Sequence, residues 1–123
     1  MHTMMIVDDS NIIRSKIHQA HDSNRFDVVA IATNGFEAVQ LFKQHQPQVV
    51  TMDLTMPHMD GIDCIEQLVE INPDVLVLVV SALSDEATGI EALEKGASGF
   101  LLKPFSDQAL QSALTELTDV DYV

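Results

Sequence analysis

Basic residues, cysteine and long apolar stretches are all scarce in this 123-residue chain. Lys and Arg number 6 against 19 Asp and Glu, which gives a formal charge of −13 with neutral histidines. A surface of that sign repels phosphate backbones and anionic lipid, so it argues against nucleic acid or a membrane as the partner and favours cations or basic proteins. The single cysteine, Cys64, excludes an internal disulfide and a zinc site built from cysteines, and it indicates a reducing compartment.

No segment has the length or pattern of a membrane anchor or a secretion signal. The longest strongly apolar run, residues 75–80, is far too short to span a bilayer, and the N-terminus lacks a basic, apolar and small-residue signal pattern. We therefore expect a cytoplasmic protein. With 46% apolar and 20% charged residues the chain can bury a core, and its length predicts one domain over residues 1–123, of which 118–123 form a short polar tail.

Two kinds of segment alternate along the chain. Short apolar runs predict strands at residues 3–7, 28–33, 49–52, 75–80 and 99–102, and the segments between them have helical spacing. Ser10 is placed to cap the first helix, and Asn34 with Gly35 makes a turn before the second. Such a β-α alternation predicts an α/β fold with a doubly wound, open parallel sheet.

Polar residues follow four of these strands: Asp8 and Asp9 the first, Asp53 the third, Ser81 the fourth and Lys103 the fifth. Because function concentrates at the carboxyl ends of parallel strands, we expect these side chains to share one site. Three carboxylates would repel one another and raise their pKa values unless a cation is present. Oxygen ligands without His or Cys indicate Mg²⁺, or Mn²⁺ in its place.

A lysine and a hydroxyl beside such a metal describe a phosphoryl site with Asp53 as the nucleophile. Each residue also has a simpler interpretation. Asp8, Asp9 and Ser10 are suited to a helix start, Lys103 before Pro104 to a turn, and Ser81 to a helix cap. Their common position at one edge of the sheet favours the site.

Four motifs occur in order: IVDDS at residues 6–10, VTMDLTMPHMDG at 50–61, VVSAL at 79–83 and GFLLKPF at 99–105. In these motifs the chain resembles a response-regulator receiver domain of the stand-alone, CheY-like type, from about residue 4 to residue 117. The resemblance implies a flavodoxin-like (βα)5 fold, whose five-stranded parallel sheet has the strand order 2-1-3-4-5 also found in CheY.

The resemblance also implies roles for the residues at the strand ends. Asp53 would be the phosphoacceptor, Asp9 a direct Mg²⁺ ligand and Asp8 the holder of metal-bound water. The backbone carbonyl of Thr55 would complete the protein ligands. Lys103 would pair with the phosphoryl oxygens, and its peptide bond to Pro104 would be cis.

Ser81 and Phe100 occupy the hydroxyl and aromatic switch positions of the family. Phosphorylation would draw the Ser81 hydroxyl toward the new anion and let the Phe100 ring turn inward, which changes an output face on the fourth helix, fifth strand and fifth helix. Many relatives have Tyr at the aromatic position, so with Phe100 the switch would rest on ring packing alone.

Two further positions in this family set how water reaches the acyl phosphate, and here they are Thr55 and Leu83. Neither side chain is an acid or an amide that orients water, so we predict slow self-dephosphorylation.

The function implied is that of a two-component response regulator, in chemotaxis, development or another relay. It would take a phosphoryl group from a sensor histidine kinase, bind a protein target when phosphorylated, and catalyse nothing beyond its own phosphorylation and dephosphorylation. Three alternatives stay open: a receiver excised from a larger effector-bearing regulator, a constitutive scaffold, and a haloacid-dehalogenase-like phosphohydrolase. The last expects a second Asp where this chain has Thr55.

Other residues suggest less. His18 and His21 are three apart, but with no third ligand evident we interpret them as a solvated helix face. Met52, Met56 and Met59 are interpreted as packing residues around the acceptor, and Cys64 as a structural thiol.

Overall fold

The computed structural model describes residues 1–56 and 58–119 of the chain. Five strands and five helices alternate along these residues. The strands are β1 (His2–Val7), β2 (Phe26–Ala32), β3 (Val49–Met52), β4 (Leu76–Ser81) and β5 (Gly99–Leu102). The helices are α1 (Asn11–Ala20), α2 (Gly35–His45), α3 (Gly61–Ile71), α4 (Glu86–Lys95) and α5 (Asp107–Thr118).

The strands form one parallel sheet in the order β2-β1-β3-β4-β5. This arrangement confirms the flavodoxin-like, doubly wound topology. The strand order reverses next to β1, and β1 and β3 lie side by side in the middle of the sheet. Residues that follow β1 and β3 therefore meet at the crevice where open α/β sheets bind their ligands.

Apolar residues cover both faces of the sheet, as the nearly continuous apolar strands predict. On one face, Met5 and Val7 of β1 pack with buried residues of α2, α3 and α4, among them Phe42 and Leu68. On the other face, Met4 and Ile6 pack with buried residues of α1 and α5, namely Ile17, Ala20, Leu110, Leu114 and Leu117. The helices thus cover both faces of the sheet.

Each helix begins at a side chain that accepts a hydrogen bond from the backbone N–H three residues later. These N-caps are Ser10, Asn34, Asp60, Asp85 and Ser106. Capping of this kind satisfies one of the free N–H groups of the first turn and typically stabilises a helix by about 1 kcal/mol. Each of these five caps ends a connection that comes from a strand, so the caps also fix where the helices start relative to the strand ends.

Some predicted boundaries were wrong by one or two residues. The second strand runs over Phe26–Ala32 rather than 28–33, and the fourth over Leu76–Ser81 rather than 75–80. Thr118, assigned to the polar tail, is the last residue of α5, and its hydroxyl donates to the Leu114 carbonyl at 2.9 Å. Residues 120–123 of that tail lie outside the described residues.

Among the residues that the structure describes, no helix combines the length and apolar character needed to cross a membrane.

Candidate functional site

Backbone hydrogen bonds carry the sheet ladder one residue past the strand ends and fix the polar residues there. The Asp8 N–H donates to the Ala32 carbonyl at 3.1 Å, and the Asp53 N–H donates to the Val7 carbonyl at 3.0 Å. At the other side of the site, the Lys103 N–H donates to the Ser81 carbonyl at 2.9 Å. Main-chain hydrogen bonds of the kind that join the strands therefore also position Asp8, Asp53 and Lys103.

Three carboxylates converge at the crevice, namely those of Asp8, Asp9 and Asp53. One oxygen of each lies within 4.8 Å of the others. Asp8 and Asp53 are only 1% and 2% exposed, whereas Asp9 is exposed to solvent. The cluster is thus a buried negative pair with one open side.

Lys103 reaches into this cluster from the end of β5. Its Nζ lies 2.9 Å from Asp8 Oδ2 and 3.4 Å from Asp53 Oδ1. Burial opposes its charge, but the hydrogen bond to Asp8 and the charges of Asp53 and Asp8 outweigh that effect and raise the pKa of Lys103. The lysine therefore stays cationic and offsets part of the carboxylate charge.

The pKa of Asp53 is strongly perturbed by its position. Burial and the negative charge of Asp8 raise the pKa of Asp53 from 3.8 to about 6, against the opposing effects of Lys103 and the Thr55 N–H. The Thr55 N–H lies 3.4 Å from Asp53 Oδ1. A buried carboxyl with a raised pKa, in a crevice with other charged groups, is typical of a functional site.

The segment after β3 approaches the start of α3 very closely, and Gly61 makes this approach possible. A Cβ at Gly61 would lie 2.2 Å from the Asp53 carbonyl oxygen and 2.7 Å from Leu54 Cα. The Gly61 N–H also donates to the Leu54 carbonyl at 2.9 Å. Gly61 belongs to the motif at residues 50–61 but was not among the predicted site residues, although a glycine at the end of a loop is the signal for such an approach.

Arg14 is a second residue that sequence reasoning missed. Its Nη1 donates to the Asp8 carbonyl at 2.8 Å, and the Asp8 side chain accepts from the Ser10 N–H at 2.8 Å. Arg14 is one turn into α1, so its contact with the preceding loop follows from helix geometry only once the loop's path is known. These bonds fix both the backbone carbonyl and the side chain of Asp8.

Ser81 is the last residue of β4 and is fully buried, rather than lying past the strand as predicted. Its Oγ accepts a hydrogen bond from the Leu83 N–H at 3.0 Å. The proposal that Ser81 caps a helix was wrong, because α4 is capped by Asp85. The Ser81 hydroxyl is the acceptor in this bond, so its proton is not used in it.

The remaining predicted residues lie around this centre. Thr55 is exposed beside Asp53, and Leu83 is 37% exposed on the segment after β4. Phe100 is partly buried on β5, packed against the core under α4. The Lys103–Pro104 peptide bond is cis, the isomer implied by the resemblance.

An apolar groove of about 320 Å³ runs between α4 and β5. Phe100 and the exposed side chains Ile90, Leu93 and Leu102 line it, with Asp85 and Glu86 at its rim. Single exposed apolar residues are ordinary, whereas a contiguous group with a polar rim is typical of a contact surface.

The methionines and the cysteine are packing residues. Met52 is fully buried, and Met56 and Met59 pack against the core as partly buried side chains. Cys64 is fully buried on α3, where burial and the charge of Asp60 raise the pKa of its thiol from 9.0 to about 12. A thiol of this kind is unreactive near neutral pH.

The histidine pair has no metal-binding partner within the described residues. His18 is exposed in the last turn of α1, and His21 is the C-cap residue directly after the helix. Their rings meet edge to face with centroids 5.4 Å apart. Among described residues, the cluster suited to a metal is that of Asp8, Asp9 and Asp53.

The donors in the crevice fit a hard divalent cation. All the ligand atoms that Asp8, Asp9 and Asp53 offer are carboxylate oxygens, which Mg²⁺ and Mn²⁺ prefer. Three carboxylates face one lysine, so the site keeps an excess of negative charge that a cation would neutralise. Burial first and the charge of Asp8 second raise the pKa of Asp53, and a bound cation would oppose both effects.

Comparison with known proteins gives a consistent family. The family model described as the response regulator receiver domain matches residues 4–115. The chain is 38% identical to chemotaxis protein CheY of Thermotoga maritima over 94% of this chain and 96% of that protein. It is 39% identical to chemotaxis protein CheY of Bacillus subtilis, over 90% of this chain and 93% of that protein.

Solved structures show the same similarity. The crystal structure of the CheX-CheY-BeF3-Mg²⁺ complex from Borrelia burgdorferi matches with a TM-score of 0.89 and 33% identity, over 94% of this chain and 87% of that chain. The response regulator domain of Thermotoga maritima CheB matches with a TM-score of 0.87 and 32% identity, over 100% of this chain and 98% of that chain. These relatives are signalling proteins, which favours a receiver over a phosphohydrolase.

Proposed function

The chain belongs to the family of response regulator receiver domains, of the CheY type, and on that premise we propose that Asp53 is its phosphoacceptor. The donor would be a phosphohistidine of a sensor histidine kinase, and the product an aspartyl phosphate that changes protein binding. The observation that carries this proposal is the placement of the buried Asp53 carboxylate between two further carboxylates and the Lys103 ammonium. Proteins that transfer phosphoryl groups rely on positioning and charge of this kind.

In the transfer, a carboxylate oxygen of Asp53 attacks the phosphorus atom of the donor. The new P–O bond forms as the P–N bond of the phosphohistidine breaks, and the imidazole nitrogen keeps the electron pair and takes up a proton. The nucleophile must be ionised, and with its pKa near 6 Asp53 is mostly carboxylate at neutral pH. Contact with Lys103 supports the ionised form.

The carboxylates of Asp8, Asp9 and Asp53, with the backbone carbonyl of Thr55, would hold Mg²⁺, or Mn²⁺ in its place. Bound there, the cation would neutralise charge on the carboxylates and on the incoming phosphoryl oxygens. Asp9 has the exposed position suited to a direct ligand, while the buried Asp8 is held by its bonds to Ser10 and Lys103. We propose Asp8 as the holder of metal-bound water.

Lys103 and Ser81 would receive the phosphoryl oxygens. The lysine already contacts Asp53, and the Ser81 hydroxyl proton is free to be donated because its oxygen is the acceptor in the bond from Leu83. Movement of Ser81 toward the new anion would leave space beneath Phe100, whose ring is partly buried next to β4. Ring packing would then couple phosphorylation to the surface of β5.

The output surface we propose consists of α4, β5 and α5. The apolar groove between α4 and β5 lies on this surface, and Phe100 is one of its walls. Acidic residues at its rim and the net charge of −13 favour a partner segment that is apolar with basic flanks. Since the matched relatives include chemotaxis proteins CheY, we propose chemotaxis as the pathway and a protein target as the output.

The proposal is tested by intact mass after incubation with acetyl phosphate and Mg²⁺. We expect a gain of one phosphoryl group that is labile in base, absent from Asp53→Asn and from a metal-free sample. Asp27→Asn, at an exposed position on β2, is the matched control and is expected to be phosphorylated normally. An adduct that persists in Asp53→Asn, or that forms equally well without a divalent cation, would contradict the proposal.

A further inference from the structure

Lys16 makes two contacts with the same distant residue. Its Nζ donates a hydrogen bond to the Phe105 carbonyl, and its ammonium lies 4.7 Å from the centroid of the Phe105 ring. The two residues are 89 positions apart in the chain. Phe105 itself is 5% exposed and packs into the core between the sheet and α1 and α5. The ammonium is therefore held at both the backbone and the ring of one buried residue.

Phe105 lies in the short connection between β5 and α5, two residues after Lys103. One end of this connection is held by the bond from the Lys103 N–H to the Ser81 carbonyl, and the other by the Ser106 cap of α5. Between these ends, the hydrogen bonds of the described residues give the Phe105 carbonyl one donor, which is Lys16. The middle of the connection thus depends on a side chain of α1.

The same helix starts directly after the carboxylates. Asp8 and Asp9 precede the Ser10 cap of α1, and Arg14 binds the Asp8 carbonyl. The helix contains no acidic residue, so its two cations have no ion-pair partner within α1. Arg14 and Lys16 each bind a main-chain carbonyl, one beside the carboxylates and one beside the lysine of the site.

We infer that Lys16 is a positioning residue, which keeps the Lys103 ammonium in register with the carboxylates by tying the β5–α5 connection to α1. This inference rests on the proposed role of Lys103 in phosphoryl binding. Within the described part of the chain, Lys16 makes no hydrogen bond to a side chain of the site, and it acts through the backbone of Phe105. Because the Lys16 ammonium contacts both the ring and the carbonyl of Phe105, it restrains the position and the orientation of Phe105 relative to α1.

The test measures binding of beryllofluoride, an analogue of the phosphoryl group, to the full chain with saturating Mg²⁺ by ¹⁹F NMR. We expect Lys16→Met to weaken beryllofluoride binding about fivefold, since a mispositioned lysine loses part of a charge-assisted contact. Affinity for Mg²⁺ alone is expected to change by less than about twofold, because the carboxylates are untouched. Lys16→Arg is expected to restore most of the affinity, because a guanidinium donates hydrogen bonds and stacks on rings.

Two controls separate positioning from general loss of stability. Lys43→Met removes an exposed lysine of α2, on the opposite face of the sheet, and is expected to bind as the natural protein does. In a Lys103→Met background, Lys16→Met is expected to have no further effect, because residues acting through one another are not additive. Thermal unfolding of each variant establishes that it is folded at the assay temperature, and Lys16→Ala replaces Lys16→Met if the latter is not.

Natural affinity in a folded Lys16→Met protein would overturn the inference, as would an equal loss in the Lys103→Met background. A different result separates the proposed function from this inference. If the natural protein with Mg²⁺ gave no bound beryllofluoride signal, the role of Asp53 would be contradicted, and with it the basis for Lys16.

Discussion

Asp53 is subject to opposing electrostatic demands. Burial and the neighbouring Asp8 favour the neutral carboxyl, whereas the proposed attack on a phosphoryl group requires the carboxylate. Lys103 offsets part of the effect of burial, because its ammonium contacts the carboxylates of Asp8 and Asp53. The buried charge of Asp53 therefore lowers the free energy of unfolding of the protein, and the effect is greatest when no divalent cation is bound.

The first prediction concerns the free energy of unfolding of Asp53→Asn without metal. A carboxyl whose pKa is raised to about 6 contributes stability below its unfolded value of 3.8, and this contribution is lost as the pH rises through 6. The variant should thus gain about 1–2 kcal/mol over the natural protein near neutral pH, and about none near pH 4. Thermal unfolding in EDTA at both pH values measures the difference.

Asp27→Asn serves as the control for this experiment, because its carboxyl is exposed on β2. Its effect should not differ between the two pH values. If Asp53→Asn raised the free energy of unfolding equally near pH 4, the ionised Asp53 carboxylate would not be the cause of the lower stability.

The second prediction concerns the lifetime of the proposed aspartyl phosphate. Thr55 and Leu83 lack the acid or amide group that orients an attacking water, so Leu83→Glu or Thr55→Asn should accelerate phosphoryl loss by on the order of tenfold. The half-life is measured by intact mass after the donor is removed. Leu93→Glu, which introduces the same charge at an exposed position of α4, should leave the half-life unchanged. Equal half-lives in all four proteins would refute the idea.

The third prediction concerns Thr51, a fully buried residue of β3. Its hydroxyl has no hydrogen-bond partner within the described part of the chain, and its neighbours in the sheet are Ile6 and Leu78. Thr51→Val keeps the shape and removes the desolvated hydroxyl, so it should stabilise the protein by about 1 kcal/mol in urea unfolding. Thr3→Val is the contrast, since the Thr3 hydroxyl accepts from the Gln48 N–H at 3.0 Å and its loss should destabilise. The same sign for both variants would contradict the argument.

At the scale of whole elements, the capped starts of the helices determine how the loops meet the site. Ser10 was predicted as a cap from the sequence because it directly precedes a helical pattern. Asn34 was predicted only as part of a turn with Gly35, and the structure shows that it caps α2. Asp60 serves α3 in the same way, and it brings the first turn of that helix against the loop that carries Asp53. The start of α3 and the loop that carries Asp53 are therefore packed against each other.

The fourth prediction follows from this packing. Gly61→Ala places a methyl group 2.2 Å from the Asp53 carbonyl oxygen, so the loop or the helix must move. We expect a loss of about 2–3 kcal/mol in stability, as for other overpacked sites, together with slower phosphorylation by acetyl phosphate. Urea unfolding and the intact-mass assay measure the two effects.

Gly89→Ala is the matched control, because a Cβ at Gly89 in α4 meets nothing within 4 Å. Alanine in a helix interior is favoured over glycine, so this variant should gain about 0.5–1 kcal/mol. Similar losses in the two variants would show that the close approach at Gly61 is not the cause.

At the scale of the whole molecule, the net charge of −13 means that the acidic side chains repel one another across the surface. The α3 and α4 helices contribute six acidic side chains, while Lys95 of α4 pairs with Glu66 of α3 at 2.9 Å. That pair is exposed, so it offsets little of the repulsion. Self-repulsion of this kind weakens the compact state and is screened by salt.

The fifth prediction is that the melting temperature rises when sodium chloride is raised from about 0.02 M to about 0.5 M. An increase of roughly 4 °C, or about 1 kcal/mol, is expected in differential scanning calorimetry. The double variant Glu91→Gln/Glu94→Gln, which removes two exposed charges from α4, should start higher and respond less. A salt response that is unchanged in this variant would show that the repulsion does not come from these side chains.

The α/β order, the edge of the sheet that holds the site and the identity of Asp8, Asp9, Asp53 and Lys103 all followed from the sequence. They did so because apolar periodicity marks the strands, and parallel strands all end at one edge. Strand boundaries were less certain, as Ser81 shows. The apolar pattern of the sequence is the same whether or not the last residue of a strand pairs with its neighbour. The pairing of Ser81 with Leu102 is what makes Ser81 part of β4.

Only the tertiary structure decided how the site residues are held. The burial of Asp53, the contacts of Lys103, the approach at Gly61 and the bond from Lys16 to Phe105 all join segments that are distant in the chain. Composition and spacing carry no information about such pairs, since each depends on how the helices pack on the sheet. The sequence by itself determined which groups reach the edge of the sheet, and packing determined their distances, their burial and hence their charge.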